Sequence, residues 1–111
     1  MSNRIVNRAV LEREFEQELI ETYKVAAKHG YHATYFLKMI GTHGGVETAK
    51  RLLADDQVQT GLFRLAELKI LHISVENLVL ERKYDELFLT SEKRAARERL
   101  RELGFEPGGS E

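Results

Sequence analysis

His29, His32 and His43 are the residues whose types invite chemistry first. Three neutral imidazoles brought together could hold zinc, and one alone could act as a general base near pH 7. Their spacing matches no metal motif. His29 falls at the end of a helical stretch, where a protonated ring complements the dipole, and His43 sits in a glycine turn. Ser74, Glu76 and Asn77 invite a reading as nucleophile, base and orienter. Neighbours on the first turn of one helix cannot converge on one reacting atom, however. Capping accounts for Ser74 and Glu76, and Glu76 is also placed to pair with an arginine of a neighbouring helix. The residues therefore assign no catalytic group, no cofactor and no metal, and the chain reads as a non-enzyme.

Binding chemistry has more to draw on. Lys93, Arg94, Arg97, Arg99 and Arg101 make the last helix the most basic region, and Arg94, Arg97 and Arg101 share one side at i, i+3 and i+7, where a DNA or RNA backbone could lie. Glu92, Glu98 and Glu102 alternate with them, as in a solvated helix stabilised by its own ion pairs. Gly41, Gly44 and Gly45 precede a helix without a leading strand or a following Lys-Ser or Lys-Thr pair, so they turn the chain rather than cradle phosphate. Residues 46–68 hold two helices joined by a polar connection. That connection is too long for a helix-turn-helix, and its second helix offers only Arg64, Glu67 and Lys69 to read bases. Tyr23, Tyr31, Tyr35, Phe36 and Phe63 fall on the inner faces of helices and read as core rather than as a stacking platform.

The elements that position these groups are helices throughout. The stretch Ile70 to Leu89 is the densest apolar run and the expected keel. Ser74 caps a helix starting near Val75, with Val75, Leu78 and Val79 on one face, and Tyr84, Leu87 and Phe88 resume the pattern that Arg82, Lys83 and Asp85 interrupt. From Asn3 to His29 runs a long helix, capped by Ser2 or Asn3 and ended by Gly30, whose stripe of Ile5, Ala9, Phe15 and Leu19 is joined off-register by Leu11. A short helix capped by Thr34 follows, then one from Val46 carrying Ala49, Leu52 and Leu53, then one capped by Thr60 with Leu62, Leu65 and Ala66. Thr90 or Ser91 opens the last helix, with Glu92 in its first turn, Gly104 at its C′ position and Phe105 folding back. Residues 106–111 have no apolar content and read as a disordered tail.

Composition sets the outer bounds. One hundred and eleven residues, 42% hydrophobic, suffice for a single core spanning residues 1–105. The absence of cysteine excludes disulfides and thiolate zinc sites and fits a reducing compartment, so cytoplasmic is the expectation. No run approaches the roughly 20 apolar residues that span a bilayer. Seventeen Lys and Arg against eighteen Asp and Glu leave a net charge of −1, so any nucleic-acid binding must come from a local patch. The single proline, at position 107, leaves helices uninterrupted. The expected fold is all-α: a compact orthogonal bundle of about six helices with a long N-terminal helix.

The residues Gly30-Tyr31, Phe36-Leu37 with Met39, Gly44-Gly45-Val46 with Ala49-Lys50 and Leu52-Leu53, Gly61-Leu62 with Leu65, Ile73 to Glu76 with Leu78-Val79, Leu87-Phe88, and Ala96 with Arg99-Leu100 form a signature. Over Tyr31 to Phe105 the chain resembles an uncharacterised small bacterial all-helical module. That module is found alone or appended to larger proteins, sometimes beside nuclease or restriction-type components, and has no assigned activity. The resemblance implies a defence or DNA-processing setting by association. Ala33 stands where that module has a proline, and the long first helix lies outside the match.

The sequence thus reads as a non-enzymatic protein-protein interaction module or an accessory subunit of a bacterial assembly. Its partner would be a second copy of itself or another bacterial protein, and not a membrane, met through Ile5, Ala9, Leu11, Phe15 and Leu19. The alternative is a weak DNA- or RNA-binding accessory that uses Arg94, Arg97 and Arg101.

Overall fold

The computed structural model describes residues 4–55 and 60–107. Six α-helices and two 3-10 segments make up the described residues, with no strand among them: α1 (Arg4–Lys28), α2 (Thr34–His43), α3 (Gly45–Ala54), α4 (Thr60–Glu67), α5 (Val75–Val79) and α6 (Thr90–Glu102). The 3-10 segments, Leu71–Ile73 and Arg82–Leu87, flank α5. The fold is an all-α bundle, as the periodicity required. Among the described residues no helix is long and apolar enough to cross a membrane.

The core forms where α1, α3, α5 and α6 meet the second 3-10 segment. Phe15 lies with its ring centroid 5.1 Å from Tyr84, edge to face, and 5.0 Å from Phe88. Such aromatic pairs add about 0.5–1.5 kcal/mol to simple burial. Leu19, Val79, Leu87, Ala96 and Leu100 close around them without solvent contact. The apolar run from Leu78 to Leu80 is buried throughout. Helix α5 is too short to bury all three on one stripe, so its neighbours surround it.

Chain ends and turns follow local chemistry. Ser74 Oγ accepts from Asn77 N–H at 3.1 Å and so caps α5. Glu92 Oε1 accepts from Leu89 N–H at 2.8 Å and satisfies an orphan donor at the start of α6. Gly104, at φ +79°, turns the chain at the end of α6 so that Phe105 N–H donates back to the Leu100 carbonyl and Phe105 packs on the core. Thr34 does not cap α2: it is the first helical residue, after Ala33, and no side chain caps that end. Likewise α3 begins one residue before Val46, because Gly44 at φ +84° completes the turn. The expected caps at Ser2 or Asn3 lie outside the described residues, as do residues 108–111 of the tail. Glu106 accepts from Arg101 and Pro107 is buried.

Two polar links lock helices together. Gly45 N–H donates to Glu16 Oε1 of α1 at 2.8 Å, so the first turn of α3 is capped by another helix. A Cβ at position 45 would lie 2.8 Å from Glu16 Cα, which is why a glycine stands there. At the other end of α3, Arg99 Nη1 donates to the Leu52 carbonyl at 3.0 Å while Nη2 donates to those of Leu53 and Asp55 at 3.2 and 3.0 Å. One guanidinium therefore closes the C-terminus of α3.

Candidate functional site

An open cavity of about 190 Å³ lies against the core between α1, α2 and α4. Helix α1 supplies Tyr23 and Ala26, the turn after it supplies Tyr31 and Ala33, and α2 supplies Tyr35, Phe36 and Met39. The opposite wall is Leu62 and Leu65 of α4 with Ile73 and Val75 from the approach to α5. Helical spacing explains the placement: Phe36, Met39 and Ile40 fall at i, i+3 and i+4, so Ile40 enters the core while the other two border the cavity. A Cβ at position 61 would sit 2.9 Å from the Tyr31 hydroxyl, so Gly61 lets that phenol lie against α4.

The surface of this cavity is overwhelmingly apolar, and Glu76 is its one ionic residue among those described. Glu76 Oε2 lies 3.3 Å from Arg99 Nη1, and both side chains are buried. Burial holds the Glu76 carboxyl above the usual carboxylate range; its own backbone amide and Arg99 pull the other way. The pairing with an arginine expected for Glu76 is therefore present. Tyr35, by contrast, was expected in the core and is 74% exposed at the cavity. Phe63, also expected inside, is 50% exposed. Tyr23, Tyr31 and Phe36 are half-buried.

The strip expected to meet a partner does not form one exposed face. Phe15 and Leu19 are completely enclosed by the chain's own core, because α3 and the second 3-10 segment pack across α1 at that level. They offer nothing to a second molecule. Leu11 is half-buried against the same core, Ala9 is exposed, and the side chain of Ile5 lies outside the described residues. Among the described side chains of that helix, Val10 is the large apolar one that is exposed.

The other candidates are dispersed. His29 bonds the Val25 carbonyl at 3.0 Å through its Nδ1. His32 is exposed in the following turn, and His43 ends α2 at a polar groove with Arg8 and Lys50. Among the described residues no three His, Cys, Asp or Glu side chains form a metal-holding group. Ser74 is occupied by its cap and Asn77 Nδ2 donates to the His72 carbonyl, so neither converges with Glu76 on a reacting atom. On α6, Arg94 and Arg101 are exposed and Arg97 is half-buried. Arg101 donates from both Nε and Nη2 to Glu106 Oε2 at 3.1 and 2.9 Å.

Sequence reasoning missed the cavity because it placed Tyr23, Tyr31, Tyr35, Phe36 and Phe63 inside. The available signal was that Phe36, Met39 and Ile40 make the stripe at i, i+3 and i+4, with Tyr35 about 100° from Phe36 at its edge. The fold and cavity define a small all-α bundle with an apolar seat. No family model matches this chain, and neither does any curated protein or any solved structure.

Proposed function

We propose that the protein is a non-enzymatic helical interaction module, an accessory subunit of a bacterial assembly, which receives a partner protein in the apolar cavity between α1, α2 and α4. The observation that carries this reading is Tyr35, a large ring left mostly in water beside an open apolar cavity. A concave apolar site rimmed by aromatic side chains is the default candidate for a surface that another molecule covers. Aromatic side chains around a pocket are also the residue types that dominate binding energy at interfaces. The bacterial setting, and its tie to defence or DNA processing, rest on the resemblance alone.

A nucleic-acid role for Arg94, Arg97 and Arg101 draws less support, since Arg101 is committed to Glu106 and the exposed Glu98 and Glu102 lie on the same helix. Photo-cross-linking in cells tests the leading reading, with the reactive residue placed at position 35 and, as a control, at the exposed position 98 of α6. The expected product is one protein joined at 35 and not at 98. After purification its affinity should fall about ten-fold for Tyr35→Ala with melting unchanged. Equal capture at both positions, or an affinity indifferent to Tyr35, would reject the proposal.

A further inference from the structure

We infer that the cavity is a seat for one uncharged aromatic side chain, phenylalanine or tryptophan, projecting from the partner protein. The inference rests on the interaction reading above and specifies what enters. Size is the first argument: an apolar cavity of roughly 150 Å³ takes one benzene, and this one, at about 190 Å³, has room for one ring system with the carbon that attaches it. Charge is the second. Among the described residues Glu76 is the single ionic one on the wall and its carboxylate already faces Arg99 at 3.3 Å, so an anion would find no cation there and a cation only a carboxylate that is already paired. Lining chemistry is the third, since Tyr31 and Phe36 offer ring faces and edges and Met39 a polarizable sulfur, all of which favour an aromatic guest over an aliphatic one.

The cavity is open on one side, so a free small molecule would keep much of its surface in water, whereas pockets for small ligands enclose most of theirs. A side chain carried by a protein brings its own cover. Tyr35, on the open side, extends the apolar surface outward to meet that cover.

N-acetyl-L-tryptophan amide, an uncharged side-chain mimic, is the probe, titrated into the full chain while the methyl resonances of Ala26, Ala33, Met39 and Val75 are followed. Saturable shifts confined to these methyls are expected. N-acetyl-L-glutamine amide should produce none, and indole-3-acetate, the same ring with a carboxylate, should bind about ten-fold more weakly. Met39→Trp fills the seat from within and Ala33→Leu narrows it from the turn; whichever variant folds should bind the probe at least about ten-fold more weakly. The purified partner should displace the probe.

No saturable shift, an equal response to the glutamine amide, or probe and partner bound together would each overturn the inference. So would dilution-dependent shifts at these methyls without any probe, which would put a second copy of the chain in the seat. If the probe fails while cross-linking from position 35 succeeds, the aromatic assignment falls and the interaction reading stands. Failure of both removes both.

Discussion

The guanidinium of Arg99 and the carboxylate of Glu76 meet at 3.3 Å in the interior, with only 6% and 9% of their side chains exposed. Arg99 also binds three carbonyls at the end of α3, so one side chain of α6 fastens α3, α5 and the wall of the apolar cavity. Removing it leaves a buried carboxylate without its cation and takes a donor from three carbonyls. Arg99→Met should cost about 3–5 kcal/mol in urea unfolding. Arg99→Lys should fall between that variant and the wild type, because an ammonium keeps the charge but not the planar fork. A loss below about 1 kcal/mol for Arg99→Met would deny the residue this role.

The acid-base behaviour of Glu76 sets a pH dependence of definite sign. Burial raises its folded-state pKa above the unfolded value of 4.5. The stability this group contributes is therefore complete below that value and is lost as pH rises through the folded pKa. Glu76→Gln does not titrate, so its stability relative to wild type should improve from acid toward neutral pH. Denaturant curves for both proteins across that interval give the difference directly. A wild type that gains on the variant with rising pH would show that Arg99 outweighs burial.

Gly45 is required by distance, whereas Gly41 is not. The Cβ of Gly45→Ala would lie 2.8 Å from both Cα and Cβ of Glu16, where only a movement of helix α1 relieves it. Overpacking of this kind costs about 1–3 kcal/mol. At Gly41, inside α2, a Cβ meets nothing within 4 Å, so Gly41→Ala should stabilise by about 0.5–1 kcal/mol. Thermal melts of the two variants should therefore move in opposite directions.

Thr48 is wholly buried in α3, and its hydroxyl has no hydrogen-bond partner among the described residues. An unsatisfied buried polar group costs about 1–3 kcal/mol, so Thr48→Val, which keeps the shape, should raise stability by about 1 kcal/mol. A destabilised Thr48→Val protein would mean that the hydroxyl is bonded in solution.

Much of the fold is written in local patterns. The long α1, the Ser74 cap, the Gly104 turn and the bipartite keel all follow from helical spacing and terminal residue preferences, which act over a few positions. What spacing could not convey is which of several apolar faces wins the core. Phe15 and Leu19 were read as surface for a partner because Leu11 falls off the main stripe of α1 and suggests a second contact face, yet α3 and the second 3-10 segment cover them. Tyr35 was read as core because it falls beside the inner stripe of its helix, yet it is 74% exposed. The Arg99 links to α3 span more than forty positions, and no local pattern announces a bond between residues so far apart.

The central claim is that recognition occurs in the cavity beside Tyr35 and not along α6. Calorimetric titration of the purified partner against wild type, Tyr35→Asp and the double variant Arg94→Glu/Arg97→Glu tests it most directly. The account predicts that the charge at position 35 weakens binding about a hundred-fold, equivalent to roughly 2.7 kcal/mol. The α6 variant should stay within about two-fold of wild type, as expected for charges away from an interface. Binding that survives Tyr35→Asp and is lost with the two arginines would contradict it.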